Sequence, residues 1–396
     1  MRETERPDMA LTLRTLFALA FLAVITVFGL PLAKKALRTP VRALAEKFPF
    51  KRWFVELNGG AHRVVGRRLC NTVYRAPGGM LLSELKGKGR LEPIADSVAA
   101  FSKWLAGRKV SFIYVQAPSK IDMEGVMLPA PLVNRGNDRA DDLMALLAEK
   151  GIRTVDLRAM LTATPEDLER YFYRTDHHWN NDAVFKAFGT LAPVIARAVG
   201  DVPSAVAPYV AASSWKRTVW PQCFTGTKSR RTGLLFGGKD DLIVYVPRFK
   251  TEMTMDILSK DISLSGDFRK TAMWRSSKIR KGGTDGFGKD AYSLLYIGGT
   301  YGVVKHENPG APLKRRVLIV GDSYARPLEA FLSTVVTSLI VLDQRRFAPG
   351  ETVAGFVESF KPDLVLQLSN PSAFDADTLS GPKTHRPALF MYGDLE

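Results

Sequence analysis

The chain has little sulfur and little histidine. Two cysteines, Cys70 and Cys223, stand in 396 residues, a spacing that supports neither a C-x-x-C redox motif nor a zinc cluster. In an exported protein they could form one disulfide or remain two free thiols. Of the five histidines, two are adjacent, His177 and His178; His62, His306 and His385 form no ligand-spaced pair. Side chains of neighbouring histidines diverge, so Asp176, His177 and His178 are a weak metal set, and no metal or cofactor is expected. There is no internal repeat, low-complexity tract or nucleic-acid-binding module, so nucleic acid is not an expected partner. With 46% hydrophobic and 24% charged residues the chain is globular in composition. The formal charge of +16 suits anionic partners or a solubilising surface.

One long apolar run is present. Residues 15–33 contain no charged side chain, and as a helix they reach about 28 Å, close to the ~30 Å of a bilayer's hydrocarbon core. The run exceeds the usual core of a signal peptide, and Pro31-Leu32-Ala33 is a poor cleavage site. We expect a cytoplasmic tail at 1–14, an uncleaved anchor at 15–33, a basic, partly helical stalk at 34–60 and a domain at 61–396. Arg2, Arg6 and Arg14 before the run balance Lys34, Lys35 and Arg38 after it, so charge leaves the orientation open.

From residue 91 onward, strands and helices alternate. Helices are expected over 91–105, 139–150, 165–171, 180–198, 326–336 and 351–360. Strands are expected over 110–115, 152–157, 316–320, 338–342 and 363–368. That order implies an α/β fold, flavodoxin-like, whose mostly parallel sheet carries helices on both faces. Residues 200–312 are less regular and read as an insertion or lid-like region with little helix, its strand candidates being 241–246 and 293–297.

Val317-Leu318-Ile319-Val320 is a buried-strand pattern, Gly321 opens a turn, and a helix follows. Ser323 therefore stands where open α/β sheets put their ligands, with backbone N–H groups aimed at developing negative charge. A serine hydroxyl needs a base. In Thr175-Asp176-His177-His178-Trp179-Asn180, residues two apart project to one side, so Asp176 could orient His178 toward Ser323. The plainer reading of the same segment is a polar loop capping the next helix through Asp176 or Asn180. Asp322 reads as a turn residue. Lys120, after a strand, reads as a substrate contact or a solvated side chain.

Gly321-Asp322-Ser323-Tyr324, the Asp176-x-His178-Trp179 element and Pro118-Ser119-Lys120 together resemble the SGNH-hydrolase-like domain of alginate O-acetyltransferases and DHHW proteins. The resemblance spans roughly 90–375, with the Asp-x-His-Trp element preceding Gly-Asp-Ser, the reverse of ordinary SGNH esterases. It implies a triad of Ser323, His178 and Asp176, with Gly321, Tyr324, Asn370 and Lys120 as oxyanion or substrate contacts. It also implies O-acetylation of a cell-surface or exopolysaccharide, the acetyl group arriving through a membrane-bound O-acyltransferase. The catalytic domain would then lie in the periplasm or outside the cell, held to the inner membrane with its N-terminus inside. An esterase built on the same triad and a non-catalytic polysaccharide-binding protein are the alternatives.

Overall fold

The structure, a computed structural model, describes residues 50–87, 89–120, 128–160, 165–282, 291–374, 390–393 and 395. The tail and apolar run expected at 1–33, and the stalk as far as residue 49, lie outside these. Among the described residues no helix is long and apolar enough to cross a membrane. The chain divides into two compact units, residues 1–57 and 58–396. Of the first, the described part enters the helix Lys51–Val64.

The second unit is built on one eight-stranded sheet. Its strands are β1 (Ser111–Gln116), β2 (Thr154–Asp156), β3 (Met253–Ile257), β4 (Ile262–Gly266), β5 (Val303–Glu307), β6 (Leu313–Gly321), β7 (Val336–Leu342) and β8 (Leu364–Ser369). They lie in the order β2-β1-β8-β6-β7-β5-β3-β4. The first five pair in parallel; β5, β3 and β4 extend the sheet antiparallel. The sheet is therefore mixed rather than mostly parallel. The extension comes from residues 200–312, where a short turn joins β3 to β4 as an antiparallel hairpin and the longer segment between β4 and β5 brings β5 back beside β3.

Both faces are covered. The odd residues Ile113, Val115, Val317 and Ile319 join one apolar core, and the even residues Phe112, Tyr114, Leu318 and Val320 join the other, as side-chain alternation requires. Helices α1 (Glu92–Gly107), α2 (Gly136–Glu149) and α6 (Val353–Phe360) pack against the second core. Helices α3 (Asn181–Ala198) and α5 (Ala325–Leu332) pack against the first. Because each central strand is buried on both sides, its sequence is a continuous apolar run.

Residues 200–312 also form the two-stranded ribbon Trp215–Phe224 with Asp240–Pro247 and the short helix α4 (Thr227–Thr232). The segment expected as a strand at 293–297 is instead a helical turn, Ala291–Leu295. Its Tyr292 and Leu295 are buried in the core, and Ile297 leaves the turn at φ 69°, so tertiary packing overrides the β propensity of the aromatic and branched residues. Neither Cys70, which is buried, nor Cys223, which is half-buried, forms a disulfide.

A buried polar cluster ties the antiparallel half of the sheet to α5. Glu329 accepts from Arg326 at 2.9 Å and meets His306 of β5 at 3.1 Å. Arg326 also donates to the Tyr301 carbonyl. All three ionisable side chains are essentially inaccessible to water, where an unpaired charge would cost several kcal/mol.

Candidate functional site

The parallel strands end together, and the loops that follow β1, β6 and β8 meet at their carboxyl ends. Across β6, Gly321 still pairs with Leu368 of β8. A Cβ at Gly321 would sit 3.0 Å from the Ala325 Cβ and 3.2 Å from the Leu368 carbonyl oxygen, so the sharp exit from strand to helix needs a glycine. Asp322 is buried and braces the turn. Its Oδ1 accepts the Tyr324 N–H at 2.8 Å and its Oδ2 accepts the Asn370 side-chain amide at 2.5 Å. Burial raises its pKa.

Ser323 is half-buried at the tip of this turn. Its Oγ lies 2.7 Å from Nε2 of His178, and Nδ1 of His178 lies 2.5 Å from Oδ1 of Asp176. With Asp176 ionised, Nδ1–H donates to the carboxylate and Nε2 is left to accept from the serine hydroxyl. The Ser323 backbone N–H has no hydrogen-bond partner among the described residues. A free N–H beside a serine hydroxyl is the arrangement that receives a tetrahedral oxyanion.

Asp176 is nearly inaccessible to water. Burial alone would raise its pKa; the His177 and His178 rings, the His178 hydrogen bond and the Thr227 N–H outweigh burial and hold it well below the usual carboxylate range. The Thr227 N–H donates to Oδ2 at 2.5 Å from the start of α4, and the His178 N–H donates to Oδ1 at 3.1 Å. Segment 174–178 is fastened from both sides. Asp240 accepts from the Arg174 and Thr175 N–H groups and the Thr175 hydroxyl at 3.0, 2.7 and 2.5 Å. Gly226 approaches so closely that a Cβ there would lie 2.3 Å from the Thr175 carbonyl oxygen.

Lys120 belongs to this scaffold. It is buried, not solvated, and Nζ donates to the carbonyls of Leu81, Arg174 and Asp176 at 2.9, 2.8 and 2.6 Å. Three acceptors match the three N–H bonds of an ammonium, so none is left for a substrate. Burial pushes its pKa well below the usual lysine value; Lys228 adds to this, and Asp240 and Asp176 oppose it.

Tyr324 is likewise buried, and its hydroxyl donates to the His177 carbonyl at 2.7 Å. Asn370 gives its amide to Asp322 while its oxygen accepts from the Ser372 N–H at 2.9 Å. Tyr324 thus secures the histidine segment, and Asn370 secures the serine turn. Asn180 caps α3, accepting from the N–H groups of Asp182 and Ala183 at 3.0 and 3.2 Å. The capping and catalytic readings of segment 175–180 therefore coexist, on different residues.

Tyr292, Thr227, Asp240 and Gly226 escape sequence reasoning. The Tyr292 ring stacks on His178 with centroids 4.0 Å apart, and all four residues come from the irregular 200–312 stretch, which carries no motif. Asp176, His177 and His178 place ligand atoms within 4.8 Å of one another, the one set of that kind among the described residues. A cation there would compete with His178 for Oδ1 of Asp176.

A cavity of about 400 Å³ opens beside the turn, bordered by His177, Tyr324, Asn370, Thr227, Lys228 and Ser83 among others. A second hollow, of about 510 Å³, lies behind the histidine segment against Asp182, Arg217 and Asp240.

Residues 80–209, a span that holds Lys120, Asp176 and His178, match the family model described as SGNH hydrolase-like domain, acetyltransferase AlgX. No curated protein matches the chain. Among solved structures, PatB1 of Bacillus cereus is similar at 17% identity and a TM-score of 0.62, covering 81% of this chain and 99% of that one. PatB1 with a sulfonyl adduct is similar at 18% identity and a TM-score of 0.60, over 81% and 98% of the two chains. A DHHW family protein from Eubacterium siraeum is similar at 19% identity and a TM-score of 0.55, over 77% and 93%. At such identities the likeness is one of fold. The likeness of fold covers 77–81% of this chain.

Proposed function

Taking an SGNH-hydrolase-like domain of the alginate O-acetyltransferase and DHHW kind as the premise, we propose that this protein is an O-acetyltransferase acting on a cell-surface or exopolysaccharide. The single observation that carries this reading is the hydrogen-bonded line from Ser323 through His178 to Asp176, set at the carboxyl ends of parallel strands.

The chemistry is a double displacement. His178 Nε2 takes the hydroxyl proton as Ser323 Oγ bonds to the acetyl carbonyl carbon. The oxyanion is met by the Ser323 N–H, and the imidazolium returns the proton to the leaving group. A sugar hydroxyl, deprotonated by the same nitrogen, then attacks acetyl-Ser323 and regenerates the serine. Asp176, locked as a carboxylate, fixes the tautomer and steadies the imidazolium.

Ser323 is half-buried, and Lys228 and Arg231 on the wall of the neighbouring cavity, with a chain charge of +16, suit an anionic polymer. The apolar run at 15–33 serves in this reading as an inner-membrane anchor, with the domain on the periplasmic or outer side and a membrane-bound O-acyltransferase supplying the acetyl group.

The test is transfer of labelled acetyl from an activated ester to polysaccharide. Ser323→Ala and His178→Ala are each expected to lower turnover by several orders of magnitude with the fold retained. Undiminished transfer by folded Ser323→Ala protein overturns the mechanism. Label released only as free acetate, whatever polysaccharide is supplied, makes the protein an esterase instead.

A further inference from the structure

A second serine faces the same cavity. Ser83 closes the short strand Leu81–Ser83, and its Oγ accepts a hydrogen bond from Nζ of Lys228 at 2.7 Å. Both side chains line the cavity that borders His177, Tyr324 and Asn370, and both are half-buried, so each is open to whatever enters it. Neither takes part in the Ser323–His178–Asp176 line.

Among the described residues Lys228 meets no carboxylate within 4 Å; its partner is an alcohol. The titratable and charged groups around it are Asp176 and Arg231, His177 and Lys120, and Glu84 on the cavity wall. Burial lowers the Lys228 pKa to about 8, with Asp176 opposing and Arg231 assisting. A free amine is therefore within reach in mildly alkaline water. A desolvated lysine hydrogen-bonded to a serine is one of the ways proteins activate a hydroxyl.

We propose that Ser83 and Lys228 form a second acyl-accepting centre, which takes an acyl group from an activated ester or thioester entering the cavity beside Ser323. The neutral Lys228 amine removes the Ser83 proton as Oγ bonds to the carbonyl carbon. The tetrahedral adduct collapses, the bond to the leaving alcohol or thiol breaks, and the leaving group takes the proton from the Lys228 ammonium. The products are acyl-Ser83, the free alcohol or thiol, and a neutral Lys228. The centre is independent of Ser323, so its failure and the failure of the transferase reading are separable.

The test uses the full chain carrying Ser323→Ala, treated with p-nitrophenyl acetate and mapped by peptide mass spectrometry. One acetyl group is expected on Ser83, forming faster as the pH rises through about 8 and slowed about a hundredfold by Lys228→Met, the loss of a general base. Ser83→Cys, whose thiol depends less on the base, is expected to accept acetyl as well, which guards against loss of signal through misfolding. Absence of acetyl from residue 83 in both proteins, acetyl found on Lys228 Nζ instead, or a rate that Lys228→Met leaves unchanged overturns the proposal.

Discussion

Replacing Lys120 with methionine keeps the side chain up to the position of its Cε and removes its three donors. The carbonyls of Leu81 and Asp176 would then be buried without partners, while that of Arg174 keeps the Leu81 N–H at 2.9 Å. Each such loss costs about 1–3 kcal/mol, or about 2–6 kcal/mol in gross. Against this stands the desolvation of the ammonium, several kcal/mol that methionine no longer incurs. The net expectation for Lys120→Met is a destabilisation of about 1–3 kcal/mol, read from urea denaturation followed by fluorescence. A second effect follows from what those carbonyls belong to. Two of them flank Thr175 in the segment that carries Asp176 and His178, and a shift of about 1 Å in a catalytic group costs about a hundredfold in turnover. Turnover at saturating donor should therefore fall about that much, with a smaller change in KM. If Lys120→Met unfolds within about 0.5 kcal/mol of the parent and turns over at the parent's rate, the ammonium is not what holds the segment, and the reasoning fails.

Asp176→Asn should keep the fold and lower kcat about ten-thousandfold, because an amide no longer enforces the Nδ1–H tautomer. The Asp176 pKa is held below its unfolded value of about 3.9, so the stability it adds is complete at neutral pH and disappears as the pH falls through the folded value. Urea midpoints of parent and Asp176→Asn should therefore draw together as the pH falls below the unfolded value of about 3.9; a gap that stays constant would count against a depressed carboxyl. Gly226→Ala puts a methyl group 2.3 Å from the Thr175 oxygen, and should pull the Thr227 N–H off Asp176 and reduce kcat more than about tenfold; parent-like kinetics would mean the backbone yields without cost. Glu329→Ala leaves Arg326 and His306 buried without a counter-charge and should cost about 3–5 kcal/mol in the same unfolding assay, with a loss under about 1 kcal/mol refuting the pairing.

The regular part of the fold was legible because strands buried on both faces write themselves as apolar runs. Val110–Val115 was expected and Ser111–Gln116 found; 316–320 was expected and Leu313–Gly321 found. The triad geometry followed from two local features, a glycine turn after a strand and an Asp-x-His pair two residues apart. Residues 200–312 gave no such reading. Strands β3, β4 and β5 are short; β3 and β4 pair as a hairpin, but β5 pairs with β3 and β7, both distant in the chain, so its register is set by neighbours the local sequence does not name. The helical turn at 291–295 misled for a related reason, since its aromatic residues are chosen by the core and by the His178 ring they cover. Lys120 shows the limit at the level of a single side chain. Nothing in Pro118-Ser119-Lys120 says that three carbonyls, two of them more than fifty positions away, converge on its ammonium.

The segment after Asn180 and before the serine turn supplies more than a spacer. The amide that meets the Asp176 carboxylate, the Asp240 side chain that grips Thr175, and the ring that lies on His178 all come from it. The acid–base pair is written early in the chain, the nucleophile late, and the parts that make the pair competent lie between. Catalytic competence should thus arrive in a single step once this middle portion has docked, and a protein cleaved within it should lose activity even where both fragments keep their strands.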